Sequence, residues 1–166
     1  MKSLIASILI LGVVGMVVGV VAQGADTAPV AATVTPELIS VTVDVSSVAY
    51  GIVPLSQVDV APSSDSVITP TNASNVTVKL DIRGANSTTW TLSNTAVGNK
   101  IFMHKFGVGA YTTWTPLDSI AYASLDASVA ANTAGTSFKL RLSTPTATDV
   151  YAQESTSVTV LATKIQ

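Results

Sequence analysis

Apolar and polar residues alternate along this chain in short runs separated by turn residues. The clearest run covers residues 75–83, where Val76, Val78, Leu80 and Ile82 alternate with Thr77, Lys79, Asp81 and Arg83. Period-two alternation of this kind predicts a strand with one face in a core and the other in water. Further runs have the same form. Ile39, Val41, Val43 and Val45 alternate with Ser40, Thr42 and Asp44 over residues 37–45, and Phe138, Leu140 and Leu142 alternate with Lys139, Arg141 and Ser143. Residues 88–93 place Trp90 and Leu92 on one face, residues 101–106 form another strand, and Val158, Val160 and Ala162 line one face of residues 155–165. Short strands are also expected at 48–54 and within 118–129, and residues 108–116 read as a hairpin with an aromatic tip carrying Tyr111 and Trp114.

Turn residues punctuate these runs: Pro62, Ser63, Ser64 and Asp65; Gly84, Ala85, Asn86 and Ser87; and Thr144, Pro145 and Thr146. Eight to ten short strands at such spacing predict an all-β fold, a jelly-roll-like two-sheet sandwich, with no long helix in the body of the chain. Ahead of residue 37 lies a lighter alternation in which Ala28, Val30, Ala32 and Val34 share one face. Pro29 removes a backbone donor, which suits an edge or added strand, and Pro36 separates this stretch from the next. It fits a strand offered to a neighbour, the first strand of the subunit's own sheet, or a spacer of small residues.

The N-terminus has a different pattern. Lys2 precedes residues 4–22, which are small or apolar apart from Ser7, and Val20 and Ala22 sit at −3 and −1 of a cut before Gln23. A second cut after Gly24 has Ala22 at −3. This predicts a signal peptide, with an uncleaved membrane anchor as the alternative because the apolar stretch is long enough to span a bilayer core. The acidic residue expected after a type IV pilin cut is missing. The expected division is a leader at 1–22, an N-terminal extension at 23–36 and a β-sandwich at 37–166, exported to the cell surface or the medium.

Composition and charge remove several classes of function. Charged residues make up 11% of the chain, the net charge is −2, and the Lys and Arg residues are scattered. No basic patch is available for phosphates, so nucleic acid is not an expected partner, and the membrane is reached only through an uncleaved leader. The absence of Cys excludes disulfides and thiolate metal sites. His104 is the single histidine, in a run where Phe102, His104 and Phe106 share a face. With no HExxH and no Gly-x-Ser-x-Gly elbow, a packed or rim-exposed histidine is expected, with no catalytic residues, cofactor or metal. Asp59, Asp65, Asp118 and Asp126 are the carboxylates on which a Ca²⁺ site would draw, but no DxDxDG-like loop holds them. Sequons at Asn72-Ala73-Ser74, Asn75-Val76-Thr77 and Asn86-Ser87-Thr88 make Asn72, Asn75 and Asn86 candidate N-glycosylation sites.

The order of these features carries a resemblance. A leader, ELISVTVDVSSVAYGIV, NVTVKLDIRG, the Trp of TTWTLSN and the ending FKLRLSTPTATDVYAQESTSVTVLAT together resemble small archaeal surface proteins whose jelly-roll subunits form bundling pili or threads. These in turn are similar to the TasA/camelysin family of biofilm-fibre proteins. The resemblance implies an extracellular homopolymer in which an N-terminal segment of one subunit completes the sheet of the next, here with Ala28, Val30, Ala32 and Val34 facing inward. Tyr111 and Trp114 on the expected hairpin are either candidates for contact with neighbouring filaments or aromatic residues that finish the core. The alternative from another class is a monomeric, membrane-anchored surface or carbohydrate-binding domain.

Overall fold

A computed structural model describes residues 31–165, all of whose regular elements are strands. The chain divides into two units, Met1–Thr35 and Pro36–Gln166. The expected leader, together with Ala28 and Val30, lies outside the described residues.

The second unit is all-β. Its strands are β1 (Val41–Val43), β2 (Pro70–Asn72), β3 (Val78–Gly84), β4 (Thr91–Leu92), β5 (Ile101–Val108), β6 (Thr115–Pro116), β7 (Ala123–Val129), β8 (Phe138–Ser143) and β9 (Val158–Lys164). One sheet has the order β7-β3-β9, with both neighbours antiparallel to β3. The other is built on β5, which pairs antiparallel with β8 and β6 and parallel with β4. Bridges from Val60 to Leu142 and from Ile68 to Phe138 extend the far side of β8. β1 and β2 form a separate antiparallel ribbon.

Alternation explains the packing. Val78, Leu80 and Ile82 of β3 and Leu125 and Val129 of β7 face Phe102 and Phe106 of β5, Phe138 and Leu140 of β8, Leu92 and Leu117 in a single core. Trp90 packs at its margin, 6.3 Å from Phe102 between ring centroids, and donates Nε1–H to Thr148 Oγ1 at 3.2 Å. Gly84 is required where the sheets close on each other, because a Cβ there would run into Leu92 and Leu117.

Two stretches differ from their alternation. Of residues 37–45 only Val41–Val43 pair as strand, and Ile39 and Val43 are exposed whereas Val41 and Val45 pack on the core. Their partner, β2, offers three residues, so the ladder stops and side chains hold the rest. Residues 48–54 form no strand. Between residues 45 and 53 the backbone makes one backbone–backbone hydrogen bond among the described residues, from Ser63 N to Ala49 O at 2.8 Å, and the segment runs as a largely exposed strap with Val45, Val48 and Tyr50 half-buried.

Candidate assembly edge

A strand edge can recruit another chain when its backbone is unpaired, its register is regular and nothing guards it. Among the described residues β9 meets the first two, with β1 lying close to it. It pairs with β3 through seven consecutive positions, from Val78 opposite Lys164 to Gly84 opposite Val158. On its other side it makes no backbone hydrogen bond to any described residue. Val158, Val160 and Ala162 pack against the core, while Leu161 and the adjoining Ile165 are each 39% exposed. Lys164 Nζ pairs with Glu37 Oε2 at 2.7 Å, but both side chains remain over a third exposed, so this pair is a weak guard.

Of the expected donor residues, Ala32 and Val34 are described. Residues 31–35 are all exposed and form no strand, with Val34 at 88% exposure.

The start of the second unit is fixed by side chains that sequence reading assigned to glycosylation. Asn75 Nδ2 donates to Pro36 O at 2.8 Å and its Oδ1 accepts from Leu38 N at 2.8 Å. Ser74 Oγ accepts from Ser40 N at 2.8 Å and donates to Ser40 O at 3.0 Å. Asn72 lies beneath them, fully buried. Its Nδ2 lies 2.9 Å from each of the Val76, Val129 and Ala130 carbonyls, and its Oδ1 accepts from Ser74 N at 2.9 Å. The folded chain therefore offers no room for a glycan at Asn72, whereas Asn75 and Asn86 are exposed. Asn86 Oδ1 accepts from Leu92 N at 2.8 Å. The Asn-x-Ser/Thr pattern reports acceptor chemistry but not burial, and this anchor shows no periodic signal of its own.

Tyr111 and Trp114 lie together on the outer side of the β5–β8 sheet, both partly buried. Arg141 Cζ sits 4.5 Å from the Trp114 ring centroid and Lys139 Nζ 5.0 Å from that of Tyr111. The indole also covers Gly107, where a Cβ would stand 2.9 Å from it. Asp65 ties the two cations together, at 2.7 Å from Lys139 Nζ and 2.6 Å from Arg141 NH1. Hydrogen bonds from Lys139 and then Arg141 hold its carboxyl below the ordinary aspartate range. The other carboxylates considered for Ca²⁺ go to separate partners. Asp59 pairs with Lys105 at 2.8 Å, Asp118 accepts from Ile120 N at 2.7 Å, and Asp126 accepts from Thr136.

His104 lies inside the sandwich, 3% exposed. Its Nε2 is 2.7 Å from the Tyr50 hydroxyl, and the two rings meet edge-on at 5.7 Å. Its Nδ1 has no hydrogen-bond partner among the described residues. Burial lowers the imidazole pKa to about 4 and raises that of the Tyr50 phenol above its ordinary range. Comparison of the chain with protein-family models, with curated proteins and with solved structures finds no match.

Proposed function

We propose that this chain is a structural subunit of an extracellular filament, in which residues 23–35 of one copy pair along the β9 edge of the next. The observation that carries this reading is the regular edge of β9, which on its outer side makes no backbone hydrogen bond to any described residue, with Leu161 and Ile165 exposed beside it. A strand added there satisfies unpaired backbone groups and covers apolar surface in one step. Backbone hydrogen bonds at about 1 kcal/mol each, together with four small apolar side chains, contribute on the order of 5–10 kcal/mol before ordering costs. Donor and acceptor surfaces differ, so the contact is heterologous and propagates into an open polymer. Export by the N-terminal leader and a jelly-roll arrangement of the strands belong to the same proposal.

The test is deletion of residues 23–35. The truncated chain is expected to stay folded by circular dichroism, to form no filaments under negative stain, and to take up a synthetic peptide of the deleted sequence. Filaments from the truncated chain would refute the donor role. A folded, monomeric full-length chain that binds no peptide favours the alternative of an anchored surface domain.

A further inference from the structure

The strap over residues 45–53 is held differently from the rest of the second unit. Val45 and Val48 pack on the core and Tyr50 reaches inward to His104, yet Ile52 is fully exposed and a single backbone hydrogen bond ties the segment down. Gly51 within it and Ser56 just beyond it have positive φ, a conformation that glycine adopts freely and that strains the Ser side chain. Beneath Tyr50 is a cavity of about 70 Å³, lined among others by His104, Trp90, Leu142, Glu154 and Thr156. The unpartnered Nδ1 belongs to the histidine in its wall.

We infer that residues 45–53 are a flap latched by the Tyr50–His104 hydrogen bond, and that protonation of His104 opens it. With Nε2–H donating to the Tyr50 oxygen, the neutral imidazole leaves only the Nδ1 lone pair unmet, a smaller cost than an unmet N–H on a cation. An imidazolium must donate from both nitrogens. Tyr50 still accepts from Nε2–H, but Nδ1–H meets no acceptor, and a buried cation with an unmet donor is strongly disfavoured.

The charged groups around the pair do not offset this cost. Glu154, from the segment before β9, is the carboxylate in the cavity wall, and its oxygens accept from Thr89 Oγ1 at 2.6 Å and Thr89 N at 3.3 Å. Arg141 on β8 contributes positive charge near Tyr50. Phe102 of β5, Leu142 of β8, Trp90 and Ser87 complete the surroundings without charge. Lifting the flap hydrates the ring. Because Ser155 and Thr156 line the same cavity and lead into β9, an open flap also changes the approach to that edge, a consequence that rests on the assembly reading.

The experiment uses the full chain, which has no native cysteine, with spin labels at Ile52→Cys and Ser128→Cys, both exposed positions. Electron paramagnetic resonance should give one distance at pH 7 and a second, longer one on acidification. The longer distance should reach about half of the molecules at the midpoint of the His104 titration, which is followed by NMR without overlap because the chain has one histidine. His104→Gln should abolish the pH step, and Tyr50→Phe should raise the open fraction several-fold at pH 7. The inference is overturned if the distance stays fixed while His104 titrates, if the step survives in His104→Gln, or if strand circular dichroism is lost along with it. A chain that opens yet takes up no donor peptide at either pH keeps the flap and removes the assembly reading.

Discussion

The two outer strands of the β7-β3-β9 sheet are both seven residues long and lean on the same central strand, but they are protected very differently. β7 meets β3 with register shifts between Val78 and Leu80 and again between Leu80 and Asp81. Asp126, in its middle, accepts from Thr136 N at 3.0 Å and Thr136 Oγ1 at 2.8 Å, tying the next loop to this edge. An irregular ladder and a central carboxylate are devices by which natural sheets prevent edge-to-edge association. β9 has an unbroken register and no acidic residue. The environments behind the strands differ as well. β7 backs directly onto the core through Leu125 and Val129, whereas the approach to β9 borders a cavity that holds an ionisable side chain. Two edges of one sheet thus differ in regularity and charge while being equal in length.

The largest effect tests what lies behind β9. The His104 pKa in the folded chain, about 4, lies below the ordinary histidine value of 6.5. Between these limits the unfolded chain binds a proton that the folded chain refuses, so the stabilisation is complete above pH 6.5 and is lost as pH falls to 4. The loss amounts to about 3 kcal/mol. Denaturant melts at pH 7, 5 and 4 should show this loss, and His104→Gln should remove it while leaving the carboxylate contribution of Asp65, Asp118, Asp149 and Glu154, whose lowered pKa values make stability fall with acidity in both proteins.

Next in size is a charge placed on the open edge. Leu161→Lys should weaken donor-peptide binding about 10-fold or more while changing folding stability by no more than about 0.5 kcal/mol. The matching change on the guarded edge, Ala127→Lys, should leave binding unaltered. Equal losses from both variants in a titration would erase the distinction between the edges. Asp126→Ala works in the opposite direction. It should cost about 1 kcal/mol in a thermal melt and convert β7 into a second association site, seen as a broadened size distribution in light scattering. The smallest effect belongs to the anchor at the start of the unit. Asn75→Ala should cost about 0.5–1 kcal/mol and speed proteolysis near Leu38, with both edges unchanged.

Much of this architecture was legible in the chain. β3, β5, β8 and β9 lie where alternation put them, because a half-buried strand must present apolar side chains at every second position. Alternation failed where pairing partners ran out. Residues 37–45 carry as clean a pattern as β3, yet only Val41–Val43 pair, since among the described residues Pro70–Asn72 is the one strand that pairs with them. The parallel pairing of β4 with β5 had no sequence signal either, because the pattern within a strand says nothing about the direction of its neighbour. Asn72 shows the same limit at one residue. Its sequon is legible, but the three carbonyls that bury it come from residues four and nearly sixty positions away.

The sequence by itself determined that this protein is built from short strands around an apolar core, with a separate, lighter stretch ahead of Pro36. Side-chain period and turn residues are local properties, and they suffice for that. Which described strand edge lacks a partner, which asparagine is buried and what Tyr50 meets were settled only in the tertiary structure, because each depends on groups distant in sequence meeting in space.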